Sequence, residues 1–240
     1  MNTSGEPSRT GAPAHPTVVH AFAATLATTG ALPLITFYDD ATGERVELSA
    51  ATLGNWVAKT ANMLVDGLAL GPGEVAAVRL GPHWQTAAIL LGCWTAGLTV
   101  DLSGGVTAAV GFGTEATPDT ADVYALSLAA LGLPLRPAPP PGTADFVVEV
   151  RPYGDQLPRL ATTPGQLALT PDTRHETLTS MPNPVPVGGR VLIDADIHAD
   201  PRSWLVAPLL AGASVVLCRN LDQAAVEARL EIERATLLPR

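Results

Sequence analysis

Residues 68–102 read LALGPGEVAAVRLGPHWQTAAILLGCWTAGLTVDL. The opening LALGPGE holds two glycines and a proline, which predicts a turn. Val75–Leu80 (VAAVRL) is an apolar run of strand length, broken by Gly81-Pro82. Trp84–Ala96 is apolar and helical in pattern, with Gly97 as its stop, and Leu98–Leu102 (LTVDL) reads as strand again. Strands that are nearly continuous apolar runs, with a helix between them, argue for a parallel sheet covered on both faces.

The same alternation extends upstream. Ser49 is a good N-cap, and Leu53, Trp56, Val57, Met63 and Leu64 keep helical spacing behind it. Leu34–Tyr38 and Arg45–Leu48 flank the turn-like DDATG and predict a hairpin. Thr17–Ala31 is apolar enough to raise a signal peptide, but His20 interrupts it and Val18, Phe22 and Leu26 recur as on one helix face. It reads as an amphipathic helix. Residues 1–16 are rich in Ser, Thr, Gly and Pro and are expected to be a disordered tail.

Downstream, Val106–Phe112 predicts a strand and Asp119–Leu131 a helix capped by Asp119. Pro134–Gly142 (PLRPAPPPG) contains five prolines and reads as a stiff connector. Phe146–Val150 (FVVEV) predicts a strand, and residues 151–190 a long loop with one short helix at His175–Met181. Arg190–Ile193, Val215–Cys218 and Thr236–Leu238 read as strands, with helices at Trp204–Leu210 and Leu221–Arg234. The expected organisation is α/β, two related lobes of parallel or mixed sheet with flanking helices. The first lobe spans 17–133, the connector 134–142 and the second lobe 143–240, all in one compact unit.

Composition narrows the function classes. Of 240 residues, 14 are basic and 23 acidic, a net charge of −9, and no basic run exists to neutralise a nucleic-acid backbone. No stretch of 18 uninterrupted apolar residues is present, so no membrane span is expected. Cys93 and Cys218 lie in apolar contexts and read as small buried hydrophobes of a reducing, cytoplasmic compartment. Thirteen of the basic residues are arginine and one, Lys59, is lysine.

Three segments carry a resemblance. Leu70-Gly71-Pro72-Gly73-Glu74-Val75, followed by Leu91-Gly92-Cys93-Trp94-Thr95-Ala96-Gly97, is similar to "LGVGPGDRVAL" and "LLGALKAG" of the acyl-adenylate-forming superfamily. Val206–Leu217 (VAPLLAGASVVL) looks like that family's "PLLAGATVVL", and Arg234-Ala235-Thr236 like the end of "IERERVT". The resemblance implies the N-terminal part of an AMP-binding, acyl-CoA synthetase-like protein, read here as a truncated and degenerate member.

The superfamily binds ATP phosphates on a loop reading "TSGTTGxPKG". The candidate equivalent here is Ala161–Thr170, where Thr162, Thr163 and Gly165 remain as a degenerate phosphate loop. Flanking glycines and the lysine are absent, and Pro164 removes a backbone N–H from the cradle. No lysine occurs from 60 to 240, so the resemblance also implies loss of the catalytic lysine, for which arginine is a poor geometric substitute. The expectation is a ligand-binding or interaction module with no catalytic residues and at most residual AMP or ATP binding. The alternative is an acyl-CoA synthetase-type ligase that adenylates a carboxylate with a partner or with noncanonical residues.

Two further places could hold ligand. Asp101 and Ser103 follow a strand, where open α/β sheets bind ligands. The resemblance also implies that His198 corresponds to the histidine of the superfamily's "PLFH", near its acyl pocket. Asp194, Asp196, His198 and Asp200 alternate and would face a metal if they lay on one strand, but they read better as a polar loop capping the next helix, so no metal is expected. With little charge to cover the surface, a homodimer or an unknown protein partner is expected, docking through Leu221–Arg240, alongside a small acyl or nucleotide ligand.

Overall fold

The computed structural model describes residues 15–115, 120, 122–129 and 131–239. The expected tail at 1–16 lies outside them except for its last two residues.

Helix α1 (Val18–Thr29) is capped by Thr17, whose side chain accepts the His20 N–H, and the hairpin β1 (Pro33–Asp39) and β2 (Glu44–Ser49) follows. Ser49 caps α2 (Ala50–Asn62) as its sequence implied, and α2 runs into a π-helical turn at Met63–Gly67. Then come β3 (Val75–Arg79), α3 (Trp84–Ala96) and β4 (Thr99–Asp101). Gly97 ends α3 in the left-handed region at φ 87°, where a residue with a Cβ is strained. Every residue of α3 is buried, as expected of a helix apolar on all faces. Gly92 lets α2 close on it, since a Cβ there would come within 2.6 Å of the Thr60 side chain.

Three short strands β5 (Val110–Gly113), β6 (Asp122–Ala125) and β7 (Ala144–Asp145) lead to α4 (Phe146–Val150). Two expectations change here. The Asp119 cap lies outside the described residues, and the helix predicted over 119–131 gives way to β6, which pairs in parallel with β5 and β7 and buries Val123 and Tyr124. FVVEV is helix rather than strand, because the Asp145 carboxylate accepts the N–H groups of Val147 and Val148 at 2.8 and 3.3 Å. A cap overrides β-branched propensity there.

The chain continues through β8 (Leu167–Leu169), β9 (Thr173–Arg174), α5 (His175–Ser180) and β10 (Arg190–Asp194). A π-helical turn at Arg202–Val206 opens into α6 (Ala207–Leu210), followed by β11 (Ser214–Arg219), α7 (Val226–Glu233) and β12 (Thr236–Leu237).

The strands form two sheets: a five-stranded one, β12-β10-β11-β1-β2, and a seven-stranded one, β7-β6-β5-β3-β4-β8-β9. All pairings are parallel except the hairpins β1–β2 and β8–β9. The two-sheet α/β architecture agrees with the expectation, but its partition of the chain does not. β1 pairs with β11 across the whole molecule (Ile35 beside Val215, Phe37 beside Leu217), and β8 and β9 join the sheet begun before the prolines. The 134–142 stretch therefore separates no lobes. β1 buries Leu34 through Phe37, and such a strand needs a neighbour on each side.

Candidate functional site

In the seven-stranded sheet, β3 is followed by β4 on one side and β5 on the other. The order reverses beside β3, and open α/β sheets bind ligands at the carboxyl ends of strands at such a reversal. Arg79 ends β3, Asp101 ends β4 and Thr170 follows β8.

These three meet. Asp101 is fully buried, and one of its carboxylate oxygens pairs with Arg79 Nη2. Arg79 Nη1 also donates to the Asp101 carbonyl at 2.5 Å. The Thr170 hydroxyl donates to Asp101 Oδ1 at 2.7 Å and the Gly104 N–H to Oδ2 at 3.0 Å. The Ser103 hydroxyl lies 3.4 Å from Oδ1. Burial would raise the Asp101 carboxyl, but Thr170, Arg79 and Gly104 outweigh it and hold the group below the usual carboxylate range. Gly104 and Gly105 both sit at φ 92°, which turns the chain sharply above the pair. Arg79 stays 30% exposed, so the cluster presents a cation edge to solvent over a neutralised base.

The structure thus joins Asp101 and Ser103 and adds Arg79 and Thr170. Arg79 was legible as the polar residue closing an apolar strand; Thr170 was the last residue of the candidate phosphate loop.

The rest of that loop lies elsewhere. Thr162 is buried and its hydroxyl donates to the Trp94 carbonyl near the end of α3. The Thr163 N–H donates to Gln166 Oε1 at 2.9 Å, and the Gly165 carbonyl accepts from Arg174. Gln166 Nε2 reaches the Gly97 carbonyl at 3.3 Å. Thr162, Thr163 and Gly165 therefore sit at the amino-terminal end of β8, beside the start of β4, whereas Thr170 and Asp101 sit at the carboxyl end. Nor does space demand glycine at 165, since a Cβ there meets nothing within 4 Å.

His198 belongs to the other sheet. β10 ends at Asp194 and a turn follows, in which the His198 N–H donates to the Asp194 carbonyl at 2.9 Å. Asp194 Oδ1 accepts the Asp196 N–H, Asp196 Oδ2 accepts the Asn220 N–H, and Asp200 pairs with Arg202. The alternating acids thus share no strand face. Among the described residues no group of three His, Cys, Asp or Glu side chains is placed to hold a metal. His198 lines a small cavity of about 70 Å³ with Asp194, Ile197, Leu221 and Leu238. Cys93 and Cys218 are buried free thiols.

Two buried histidines had no signal in the sequence beyond their presence. His83 is wholly buried at the start of α3, against Phe37 of β1 at 4.4 Å between ring centroids. The Gln85 N–H donates to its Nδ1 at 3.1 Å, so the ring proton sits on Nε2, which has no hydrogen-bond partner among the described residues. Burial pushes its pKa down to about 3, with Arg219 adding to the effect and Asp39 opposing it. His175, 1% exposed beside Trp94, is pushed by burial to about 4.

Compared with solved structures, this is the fold of the N-terminal region of acyl-CoA synthetases. A Brucella canis acyl-CoA synthetase superposes with a TM-score of 0.68 at 15% identity, covering 92% of this chain and 46% of that one. The N-terminal domain of FACL13 from Mycobacterium tuberculosis gives 0.66 at 12% identity, covering 91% of this chain and 61% of that one. The chain thus spans roughly half the length of these structures. A nearer relative is a TIGR03089 family protein of Mycobacterium tuberculosis, 39% identical over 223 residues, with 85% of this chain and 90% of that protein covered. The chain belongs to that family. No protein-family model matches the sequence. Among the described residues no helix is long and apolar enough to cross a membrane.

Proposed function

We propose that this protein is a cytoplasmic small-molecule-binding module on an acyl-CoA synthetase-like fold, and that these 240 residues do not adenylate a carboxylate. The observation that carries the reading is the fate of Thr162, Thr163 and Gly165. Their polar groups are engaged by Trp94, Gln166 and Arg174, at the edge of the sheet opposite the Asp101 cluster. A phosphate cradle needs backbone N–H groups turned outward together with a cation. Lys59, the single lysine, donates instead to the carbonyls of Arg151 and Tyr153. Residual AMP or ATP binding would fall to the exposed edge of Arg79 with Ser103 and Thr170.

ATP–pyrophosphate exchange with fatty, aryl and amino acids tests this, together with thermal-shift titration of AMP, ATP, CoA and acyl chains. A binding module shifts without exchange. Exchange with any carboxylate overturns the reading in favour of a second one, an AMP-forming acyl-CoA ligase working with a partner or unusual residues. What favours that second reading is Arg79, Asp101 and Thr170 gathered at the carboxyl edge, where α/β enzymes act.

We also propose a homodimer or protein partner docked through Leu221–Arg240. Ile232 is 75% exposed and Leu237, on the edge strand β12, 46%. Light scattering of the chain with and without residues 221–240 tests this surface.

A further inference from the structure

A cavity of about 360 Å³ opens between α5, the segment after it, and α6. Its walls are Leu178, Met181, Pro184, Val206, Ala207 and Leu210. Neither Arg79, Asp101, Thr170 nor His198 lines it, so it is separate from the Asp101 cluster and from the His198 cavity. The volume lies in the range of small-ligand pockets and equals that of about twelve liquid waters.

The polar residues of the lining are Asn183, Asp200, Arg202 and Ser203. Asn183 Nδ2 donates to the Ala207 carbonyl at 2.7 Å, and its Oδ1 accepts the Val185 N–H at 3.0 Å. The Ser203 hydroxyl donates to the Asp200 carbonyl at 2.8 Å. Arg202 Nε donates to Asp200 Oδ2 at 2.7 Å and Nη2 to the same oxygen, while Asp200 Oδ1 accepts the Arg202 N–H at 2.9 Å. The two charges cancel at the rim, and the polar groups of the wall hold one another. A charged ligand would lose its water here and find no opposite charge unspoken for. Water inside would meet mostly carbon, so an apolar body is the occupant that gains by entering. Met181, 41% exposed, supplies a flexible thioether that adapts to the shape of a guest.

We infer that the α5–α6 cavity binds a neutral, compact, aliphatic molecule, with at most one hydroxyl or carbonyl to reach the rim. This deepens the small-molecule-binding reading and rests on it.

Three methionines make the test simple: Met1, Met63 in the core and Met181 at the cavity. The chain carrying ¹³C-methyl methionine is titrated with 1-octanol, octanoate and octylammonium. Octanol is expected to shift the Met181 methyl signal saturably and to leave Met63 in place. The two charged analogues should bind at least tenfold more weakly. Ala207→Phe and Leu210→Trp each fill the cavity from α6 and should weaken octanol at least tenfold, with folding checked by circular dichroism. Absence of a saturable Met181 shift, equal binding of octanoate, or undiminished binding in the folded variants overturns the inference. Pyrophosphate exchange is read separately: if it occurs, the non-adenylating reading fails whatever octanol does, and if neither occurs, the cavity assignment alone fails.

Discussion

Mild acid should weaken this fold well before its carboxylates protonate, through His83 and His175. Both imidazoles are buried and neutral, with folded pKa values near 3 and 4 against 6.5 in the unfolded chain. Between those values the unfolded chain binds the extra proton, so stability falls as pH drops below 6.5. At pH 5 an unfolded imidazole of pKa 6.5 has gained about 2 kcal/mol relative to pH 7 by taking up its proton, and the folded one almost nothing. Two such groups remove about 4 kcal/mol, a large part of the 5–15 kcal/mol typical of a domain. Because both folded values lie below 5, the loss is set almost wholly by the unfolded side. Protonating His83 would also remove the Nδ1 acceptor that caps α3. Guanidinium unfolding at pH 7, 6 and 5, followed by tryptophan fluorescence, reads the loss. His83→Asn keeps an acceptor for the Gln85 N–H and should cut the pH dependence by about half; adding His175→Leu should nearly abolish it. Constant stability from pH 7 to 5, or a double variant with the full dependence, would refute the reasoning.

Other perturbations separate from this one. Asp101→Ala removes the partner of Arg79 and of the Thr170 hydroxyl and should cost about 3 kcal/mol in chemical denaturation, moderated by the partial exposure of Arg79. Gln85→Met replaces an amide that is 1% exposed, with neither polar atom partnered among the described residues; it should stabilise by about 1–2 kcal/mol, and a loss would reveal a buried water on that amide. Glu233 is desolvated, yet its bonds to Tyr38, Arg190 and Arg45 hold it at about 2 against 4.5, so its contribution is present above pH 4.5 and is lost as pH falls from there toward 2. Glu233→Gln should lower stability at pH 7 and flatten the acid limb below 4.5, leaving the histidine window unchanged.

What was legible in the sequence was whatever one segment decides for itself. Ser49 opens α2 with its own hydroxyl, which accepts the Thr52 N–H three residues on, Gly97 closes α3 by its positive φ, and the LGPGE turn and VAAVRL strand stand where the text put them. The misread elements depended on one side chain or a distant partner. Asp145 turned FVVEV into a helix by satisfying two N–H groups, and β6 exists because β5 and β7 flank it in parallel. The partition into lobes at the proline stretch failed for the same reason, since nothing within residues 33–39 announces pairing with 214–219. At the candidate site, Asp101 and Ser103 were found because they close an apolar strand, and Thr162, Thr163 and Gly165 because they echo a motif. The first criterion is positional: strand ends in parallel sheets point to one edge, and the structure adds Arg79 and Thr170 at that edge. The second is textual, and the text did not say which end of β8 those residues occupy. Three residues of strand, Leu167–Leu169, separate the amino end holding Gly165 from the carboxyl end holding Thr170. That span is about 10 Å at strand rise, several times a hydrogen-bond length. A motif match three or four residues out of register on a strand therefore names groups at the opposite end of that strand from Arg79, Asp101 and Thr170.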